Sequence, residues 1–206
     1  MRLHVFPHSN NAIEVLATAY QCELPVELVF VDLLKGAQTT AAFTALNPNR
    51  RMPVLEDDGF VLWESNAIAQ YLAAQRPASG LWPTEPQRQA DVARWQFWQA
   101  AHWGPTCAVF TFERVAKRFA GLGPADETAV ARAAPEFHSY AAILNAQLQG
   151  RPWVTGDALT LADFALGAWL VYAEPAGLPL DDHPEVSAWY ARLLTLPAWR
   201  KALPAA

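Results

Sequence analysis

Residues 47–72 of this chain read Asn47-Pro-Asn-Arg-Arg-Met-Pro-Val-Leu-Glu-Asp-Asp-Gly-Phe-Val-Leu-Trp-Glu-Ser-Asn-Ala-Ile-Ala-Gln-Tyr-Leu72. This order of residue types predicts a strand, a tight turn, a second strand and then a helix. The first strand starts at Val54, and Asp57-Asp58-Gly59 is a turn of the kind that tolerates a positive φ. The helix begins at Ser65, because apolar residues then recur at the spacing of one helix face.

Two pairs of residues in this segment favour ligand binding. Pro53 stands at the entrance of a strand, where it has no N–H for the sheet and where a cis bond would turn the backbone of Met52 toward a ligand. Ser65, next to Glu64, brings a hydroxyl and unpaired backbone N–H groups to a helix N-terminus, and such a terminus binds carboxylates. An ordinary hairpin followed by a capped helix would show the same residues. This segment alone therefore does not distinguish a ligand-binding site from a purely structural one.

The residues before this segment predict a β-α-β unit. A short apolar strand at residues 2–6 is followed by helical periodicity from Ile13 to Tyr20 and by a second strand at residues 26–31. Such an order gives parallel strands joined by a right-handed crossover. With a short helix at residues 41–46, the N-terminal order becomes βαβ-α-ββα, which is the thioredoxin-like arrangement.

The chain changes character after this part, because Pro, Gly and Ser crowd residues 76–83 and only helical patterns follow. We therefore predict an α/β plus all-α fold with two domains. A thioredoxin-like domain at residues 1–75 is joined by a linker at residues 76–86 to an all-helical domain at residues 87–206.

Two local signals lie within the helical part. Pro105 predicts a kink or an interruption of the first long helix after His102. Thr160-Leu-Ala-Asp163 predicts a capping box at the start of a later helix. We interpret Asp163 as a folding residue and not as a catalytic acid.

Composition narrows the classes of function. The formal net charge is −5 and no basic run stands out, which argues against nucleic acid as a partner because phosphate binding needs clustered Lys and Arg. The longest apolar run, at residues 164–173, is too short to cross a bilayer, so we expect no membrane. Cys22 and Cys107 lie far apart and form no metal or disulfide motif, which favours the cytoplasm. The histidines do not cluster at ligand spacing, so no metal site is predicted.

Residues 47–72 resemble the glutathione-binding half of the soluble glutathione transferases. The Pro-Val-Leu, Asp-Gly and Glu-Ser-Asn-Ala-Ile elements stand in the order and spacing of that family. Residues 153–163 are similar to the Trp-Val-x-Gly-Asp-x-Leu-Thr-Leu-Ala-Asp pattern of the family's helical domain. The resemblance covers nearly the whole chain, and it implies glutathione as co-substrate and a homodimer.

The resemblance also implies roles for individual residues. In the family the proline is cis, and the residue before it, here Met52, pairs by its backbone with the cysteinyl part of glutathione. The family's Glu-Ser pair, here Glu64 and Ser65, holds the γ-glutamyl carboxylate and amine. Arg51 is placed to meet the glycine carboxylate, although two adjacent arginines also suit a solvated turn.

The family keeps the group that activates the thiol in the loop between the first strand and the first helix. In this chain that loop has Ser9 and Asn11 as candidate donors. No Tyr precedes Tyr20, and Cys22 falls beyond the first helix, so the tyrosine and cysteine versions of the site are excluded. Ser9 is the first candidate and Asn11 the alternative; a third interpretation is that Ser9 only caps the helix.

A second substrate is expected against the first helix of the helical domain, where His102, Trp103 and Phe110 form an aromatic, partly polar wall. Aromatic residues in such a helix also suit a packed core. The predicted function is a glutathione transferase whose thiolate attacks an electrophilic, hydrophobic molecule. The alternatives are glutathione-dependent reduction of peroxides or disulfides, and a non-catalytic scaffold that binds a protein partner.

Overall fold

The computed structural model of the chain describes residues 1–204, and these form two compact units. The N-terminal unit contains Met1–Pro83 together with the segment that begins at Leu196. The helical unit contains Thr84–Thr195.

The N-terminal unit has the predicted βαβ-α-ββα order. Its elements are β1 (Arg2–Val5), α1 (Asn10–Gln21), β2 (Glu27–Phe30), α2 (Ala41–Leu46), β3 (Val54–Asp57), β4 (Phe60–Trp63) and α3 (Ser65–Ala74). The strands form one sheet in the order β2-β1-β3-β4, in which β1 and β2 are parallel while β3 is antiparallel to both β1 and β4. The thioredoxin-like prediction is confirmed.

The β3–β4 hairpin is closed by Asp58 and Gly59. Their φ values are 48° and 87°, and the flanking residues Asp57 and Phe60 are paired across the ladder. A two-residue turn with positive φ at both positions matches the twist of antiparallel strands, which is why Asp-Gly favours it. The hairpin therefore follows directly from the local sequence.

The helical unit is built from seven α-helices that share a buried core rich in aromatic residues. They are α4 (Pro86–Trp98), α5 (Gly104–Thr111), α6 (Lys117–Ala120), α7 (Glu127–Leu148), α8 (Leu161–Gly167), α9 (Ala173–Ala176) and α10 (Pro184–Leu193).

A kink or an interruption was predicted at Pro105, and the α-helix is interrupted directly before it. Two π-helical turns, Gln99–Trp103 and Phe112–Ala116, join α4 to α5 and α5 to α6, so the described chain stays helical from α4 to α6. Pro105 lies in the first turn of α5, and the preceding π-helical turn shifts the hydrogen-bond register there.

The capping box predicted at Thr160 is present, and Asp163 also connects separate segments. One carboxylate oxygen, Oδ2, accepts from the backbone N–H of Thr160 at 2.9 Å and from its hydroxyl at 3.3 Å. The other, Oδ1, accepts from the Val154 N–H and the Trp189 indole N–H, each at 2.9 Å. Asp163 thus ties the start of α8 to the preceding turn and to α10.

The last helix, α11 (Pro197–Ala202), belongs to the N-terminal unit. It packs on α1, and its Trp199 is fully buried. The ammonium of Lys201 lies 4.1 Å from the ring centroid of Tyr20 on α1. The predicted domain boundary assigned this segment to the helical domain, whereas its apolar face is buried against α1.

Candidate functional site

Three segments of the N-terminal unit meet at one end of its sheet. His4 pairs with Val54, and Val54 pairs with Trp63. The loop after β1, the residues before β3 and the residues after β4 therefore leave the sheet at the same end. The sequence-predicted residues that this register brings together are Ser9, Asn11, Met52, Pro53, Glu64 and Ser65.

The size of this end suits an extended peptide. Adjacent strands lie about 4.8 Å apart, so β1, β3 and β4 together span roughly 10 Å. Three extended residues, at about 3.5 Å each, have nearly the same length. A ligand of tripeptide size can therefore contact all three segments at once.

Ser9 occupies the N-cap position of α1, but its hydroxyl does not cap the helix. Its backbone carbonyl accepts from the N–H groups of Ala12 at 2.9 Å and Ile13 at 3.0 Å. Within the described part of the chain the side chain makes no capping hydrogen bond. The half-buried hydroxyl is thus left at the positive end of the helix dipole, with Asn11 in the first turn beside it.

The peptide bond between Met52 and Pro53 is cis, and both residues are buried. The loop before them is held by Asn47, whose side-chain amide donates to the Arg51 carbonyl at 2.8 Å and whose side-chain oxygen accepts from the Asn49 N–H at 3.0 Å. Asn47 is itself buried. It fixes the backbone at Arg51, while the Arg51 side chain is exposed.

Glu64 and Ser65 form the N-terminus of α3. Glu64 has φ 75° and ψ 116°, which is strained for a residue with a side chain and costs about 1–3 kcal/mol. Ile68 makes the first helical hydrogen bond, to the Glu64 carbonyl at 3.0 Å. The start of a helix places backbone N–H groups at the positive end of its dipole, and such a terminus stabilises an anion.

Sequence reasoning missed two residues that support this end of the sheet. Asn47 follows the short helix predicted at residues 41–46 and was assigned no role in the site. Glu14 was overlooked because it lies inside α1, where every residue from Ala12 to Ala19 is buried. A carboxyl group on a helix that is apolar all round is the signal that identifies it.

Glu14 has a strongly perturbed carboxyl group. It is 1 % exposed, and burial raises its pKa to about 8, against a smaller lowering by the hydroxyl of Ser65. At pH 7 this carboxyl is therefore mostly neutral. Ser65 thus has a neutral acid as its neighbour inside the protein.

The residues predicted to contact a second substrate lie in the helical unit. Trp103 is 0 % exposed and Phe110 is 2 % exposed. Both pack on Phe137, and the Trp103 indole donates to the Leu166 carbonyl at 3.1 Å. The prediction that these two line a pocket is corrected, because both side chains are buried among aromatic residues of the helical core.

His102 differs from these two residues because it is exposed. Its Nδ1 lies 3.3 Å from the Tyr140 hydroxyl, which also donates to the Glu136 carboxylate at 3.1 Å. Of the three residues predicted to contact a second substrate, His102 is the one whose side chain is exposed.

Comparison with known proteins gives the family. Residues 1–74 match the family model for the glutathione S-transferase N-terminal domain, and residues 127–192 match that for the C-terminal domain. Glutathione S-transferase GstB of Escherichia coli K12 is 32 % identical over 203 residues, which cover 95 % of this chain and 94 % of that protein. The chain belongs to the glutathione S-transferase family. A glutathione S-transferase of Hyoscyamus muticus is 31 % identical over 98 % of this chain and 97 % of its own.

Solved structures agree with this assignment. Glutathione transferase F7 of Populus trichocarpa has a TM-score of 0.90 at 27 % identity, over 98 % of this glutathione S-transferase and 96 % of its own chain. The theta-class glutathione S-transferase of Xanthomonas axonopodis pv. citri, solved with glutathione bound, has a TM-score of 0.88 at 30 % identity. That match covers 100 % of this chain and 97 % of the other. The predictions of family and fold are confirmed.

Membrane-spanning helices and metal-binding clusters are both absent from the described residues. No helix within residues 1–204 is long and apolar enough to cross a membrane. In the same residues, no group of three or more His, Cys, Asp or Glu side chains is arranged to hold a metal ion.

Proposed function

We propose that this glutathione S-transferase holds glutathione at the end of the sheet where β1, β3 and β4 meet, and that the Ser9 hydroxyl donates a hydrogen bond to its sulfur. The thiolate so formed attacks an electrophilic, hydrophobic substrate. Transferase activity and the use of glutathione follow from family membership. The observation that carries the role of Ser9 is its hydroxyl at the N-terminus of α1, with no capping bond among the described residues.

The energy required is within reach of such a site. A free thiol has a pKa of about 8.5, so only a few per cent is ionised near neutrality. Lowering this pKa by two units requires about 2.7 kcal/mol of preferential stabilisation of the anion. A hydrogen bond to a charged group contributes about 1.5–3 kcal/mol, and a helix N-terminus adds roughly 0.3–1 kcal/mol.

Asn11 is the alternative donor. It lies in the first turn of α1, is half-buried, and has a side-chain amide that can donate to sulfur. Cys22 is not placed for a mixed disulfide with glutathione, since it is buried at the opposite end of α1 from Ser9. This argues against a cysteine-based reductase.

The rest of glutathione is assigned by charge. We place its γ-glutamyl carboxylate at the N-terminus of α3, on the Ser65 hydroxyl and the first N–H groups, and its amine against the Glu64 carboxylate. The cysteinyl backbone pairs with Met52 ahead of Pro53. We place the glycine carboxylate near the Arg51 guanidinium. The side chain of Asn47 holds the Arg51 backbone in place.

For the second substrate we propose His102 as a polar contact, supported by its exposure on the helical unit. We further propose a cytoplasmic homodimer. Both cysteines are free and buried, as expected in a reducing compartment. The edge strand β4 exposes Phe60, Val61 and Trp63, and an exposed apolar patch of this kind suits a protein interface.

The role of Ser9 is tested by glutathione calorimetry and ultraviolet thiolate absorbance on wild type, Ser9→Ala and Asn11→Ala. Ser139→Ala, an exposed serine on α7, is the matched control. We expect Ser9→Ala to bind glutathione but to lose the thiolate band near pH 7, and the control to keep both. A retained band in Ser9→Ala, lost instead in Asn11→Ala, would transfer the role to Asn11. Absence of binding by the wild type would refute the proposed function.

A further inference from the structure

The buried carboxyl group of Glu14 has no role in the site as described so far. It lies on α1, which packs against α3 and α11. Neither of its oxygens has a partner in full hydrogen-bond geometry within residues 1–204. Buried polar groups are normally satisfied, so an exception of this kind calls for an explanation. The neighbour that lowers its pKa is the hydroxyl of Ser65 at the start of α3, a side chain that is itself buried.

The protonation state of Glu14 decides which way the Ser65 hydroxyl points. An ionised carboxylate only accepts hydrogen bonds, so it takes the Ser65 proton for itself. A neutral carboxyl has an O–H that donates to the Ser65 oxygen, which leaves the Ser65 hydrogen for another acceptor. Only the neutral form therefore leaves Ser65 free to donate to a ligand.

We propose that Glu14 is a positioning residue, whose neutral carboxyl holds the Ser65 hydroxyl as a donor toward the γ-glutamyl carboxylate of glutathione, so that ligand binding and protonation of Glu14 favour each other. This inference rests on the proposed function of Ser65. It adds a proton-linked step in glutathione binding that is separate from ionisation of the thiol.

The other titratable groups on and beside α3 are either paired elsewhere or exposed to solvent. The Tyr71 hydroxyl donates to the Asp57 carboxylate at 2.8 Å. The Glu64 side chain is exposed. The perturbation of Glu14 by α3 therefore comes from Ser65, the neighbour that affects its pKa.

The charged groups of α11 are likewise either in contact with another residue or exposed to solvent. The Lys201 ammonium lies over the ring of Tyr20 on α1, and the Arg200 side chain is exposed. No counter-charge among the described residues offsets the burial of Glu14, and burial is the larger cause of its raised pKa.

The sign of the pH dependence follows from linkage. A ligand that requires neutral Glu14 binds less tightly as pH rises through its pKa of about 8. The dissociation constant should then increase about tenfold between pH 7 and pH 9 from this group alone. Near pH 8, binding should take up about half a proton at Glu14.

The test uses S-methylglutathione, which has no thiol to ionise, with wild type, Glu14→Gln and Glu23→Gln. Calorimetry at pH 7, 8 and 9, in two buffers of different ionisation enthalpy, gives both affinity and proton uptake. Glu14→Gln keeps a donor toward Ser65 at every pH but cannot titrate. Glu23→Gln removes an exposed carboxyl beyond the end of α1 and is the matched control.

We expect wild type and Glu23→Gln to lose about tenfold more affinity than Glu14→Gln between pH 7 and pH 9, and to take up the extra half proton. Titration of the ligand amine is common to all three proteins and cancels in the comparison. Equal pH profiles and equal proton uptake would overturn the role of Glu14 while leaving the proposed function intact. Absence of binding by wild type at pH 7 would refute the proposed function instead.

If Glu14→Gln does not fold, a second variant still tests the inference. Ser65→Ala removes the hydroxyl that connects Glu14 to the ligand. We expect weaker binding and loss of the extra proton uptake at pH 8. Weaker binding with the uptake unchanged would show that the proton does not reach Glu14 through Ser65, and would overturn the inference.

Discussion

Asp163→Ala should destabilise the helical unit, and the size of the effect should depend on pH. The substitution leaves three buried N–H donors without an acceptor, namely those of Val154, Thr160 and Trp189. Each unsatisfied donor costs about 1–3 kcal/mol. Against this, burial raises the pKa of Asp163 to about 6 from 3.8, so removing the charge at pH 7 recovers about 3 kcal/mol. At a middle value of about 2 kcal/mol for each donor, the three donors lose about 6 kcal/mol, so the net loss should be about 3 kcal/mol at pH 7.

The pH dependence gives a sharper test. Because the pKa of Asp163 is raised in the folded state, its stabilising contribution is complete below the unfolded pKa and is lost as pH rises through about 6. Lowering the pH from 7 to 5 should therefore stabilise wild type relative to Asp163→Ala by about 1 kcal/mol. The difference in unfolding free energy should widen as the solution becomes more acidic.

The assay is urea denaturation of wild type, Asp163→Ala and Asp157→Asn at pH 7 and pH 5, monitored by tryptophan fluorescence. Asp157 is an exposed carboxylate in the same turn, and its replacement should change stability by less than about 0.5 kcal/mol. The reasoning would be refuted if the difference in unfolding free energy between wild type and Asp163→Ala were smaller at pH 5 than at pH 7. It would mean that the four hydrogen bonds outweigh burial and lower the pKa of Asp163.

Two further predictions concern single contacts. Asn47→Ala should cost about 1–3 kcal/mol of stability, because it removes two hydrogen bonds, to the Arg51 carbonyl and from the Asn49 N–H, each worth about 0.5–1.5 kcal/mol. It should also raise the dissociation constant for glutathione, and exposed Asn49→Ala should raise it less. Calorimetry that gives equal dissociation constants for wild type and both variants would contradict this. Gly104→Ala should cost about 1–3 kcal/mol of stability, because an added Cβ would lie 2.9 Å from the Trp169 ring and 2.7 Å from the Gln99 amide. Thermal unfolding measures this, with Ala101→Ser at an exposed position as the control. An unchanged unfolding midpoint in Gly104→Ala would show that the surrounding side chains relax to admit the Cβ.

The parts of the fold that were predictable from sequence depend on neighbours in the chain. The turn at Asp58-Gly59 needs only residues that accept positive φ, and the box at Thr160 and Asp163 needs only a three-residue spacing. The parallel pairing of β1 and β2 followed from the βαβ connection. Such features require no knowledge of distant contacts.

The features that sequence reasoning missed depend on tertiary packing. The apolar residues around Glu14 indicate that its helix is buried, but they do not say what surrounds the carboxyl group, because α3 and α11 pack against α1 from distant parts of the chain. The burial of Trp103 and Phe110 depends on their packing against Phe137, which lies on a different helix. The candidate site residues came from the family resemblance, whereas the supporting role of Asn47 became visible only from its hydrogen bonds.

The position of α11 has a consequence for the order in which the chain folds during synthesis. Helix α11 completes the burial of α1, yet the ribosome makes it after the whole helical unit. The N-terminal unit is therefore translated before the helical unit but lacks part of its core until α11 has been made. The helical unit, which is contiguous in sequence, has all its residues earlier. We expect a nascent chain stalled before residue 196 to hold a folded helical unit and a protease-sensitive N-terminal unit.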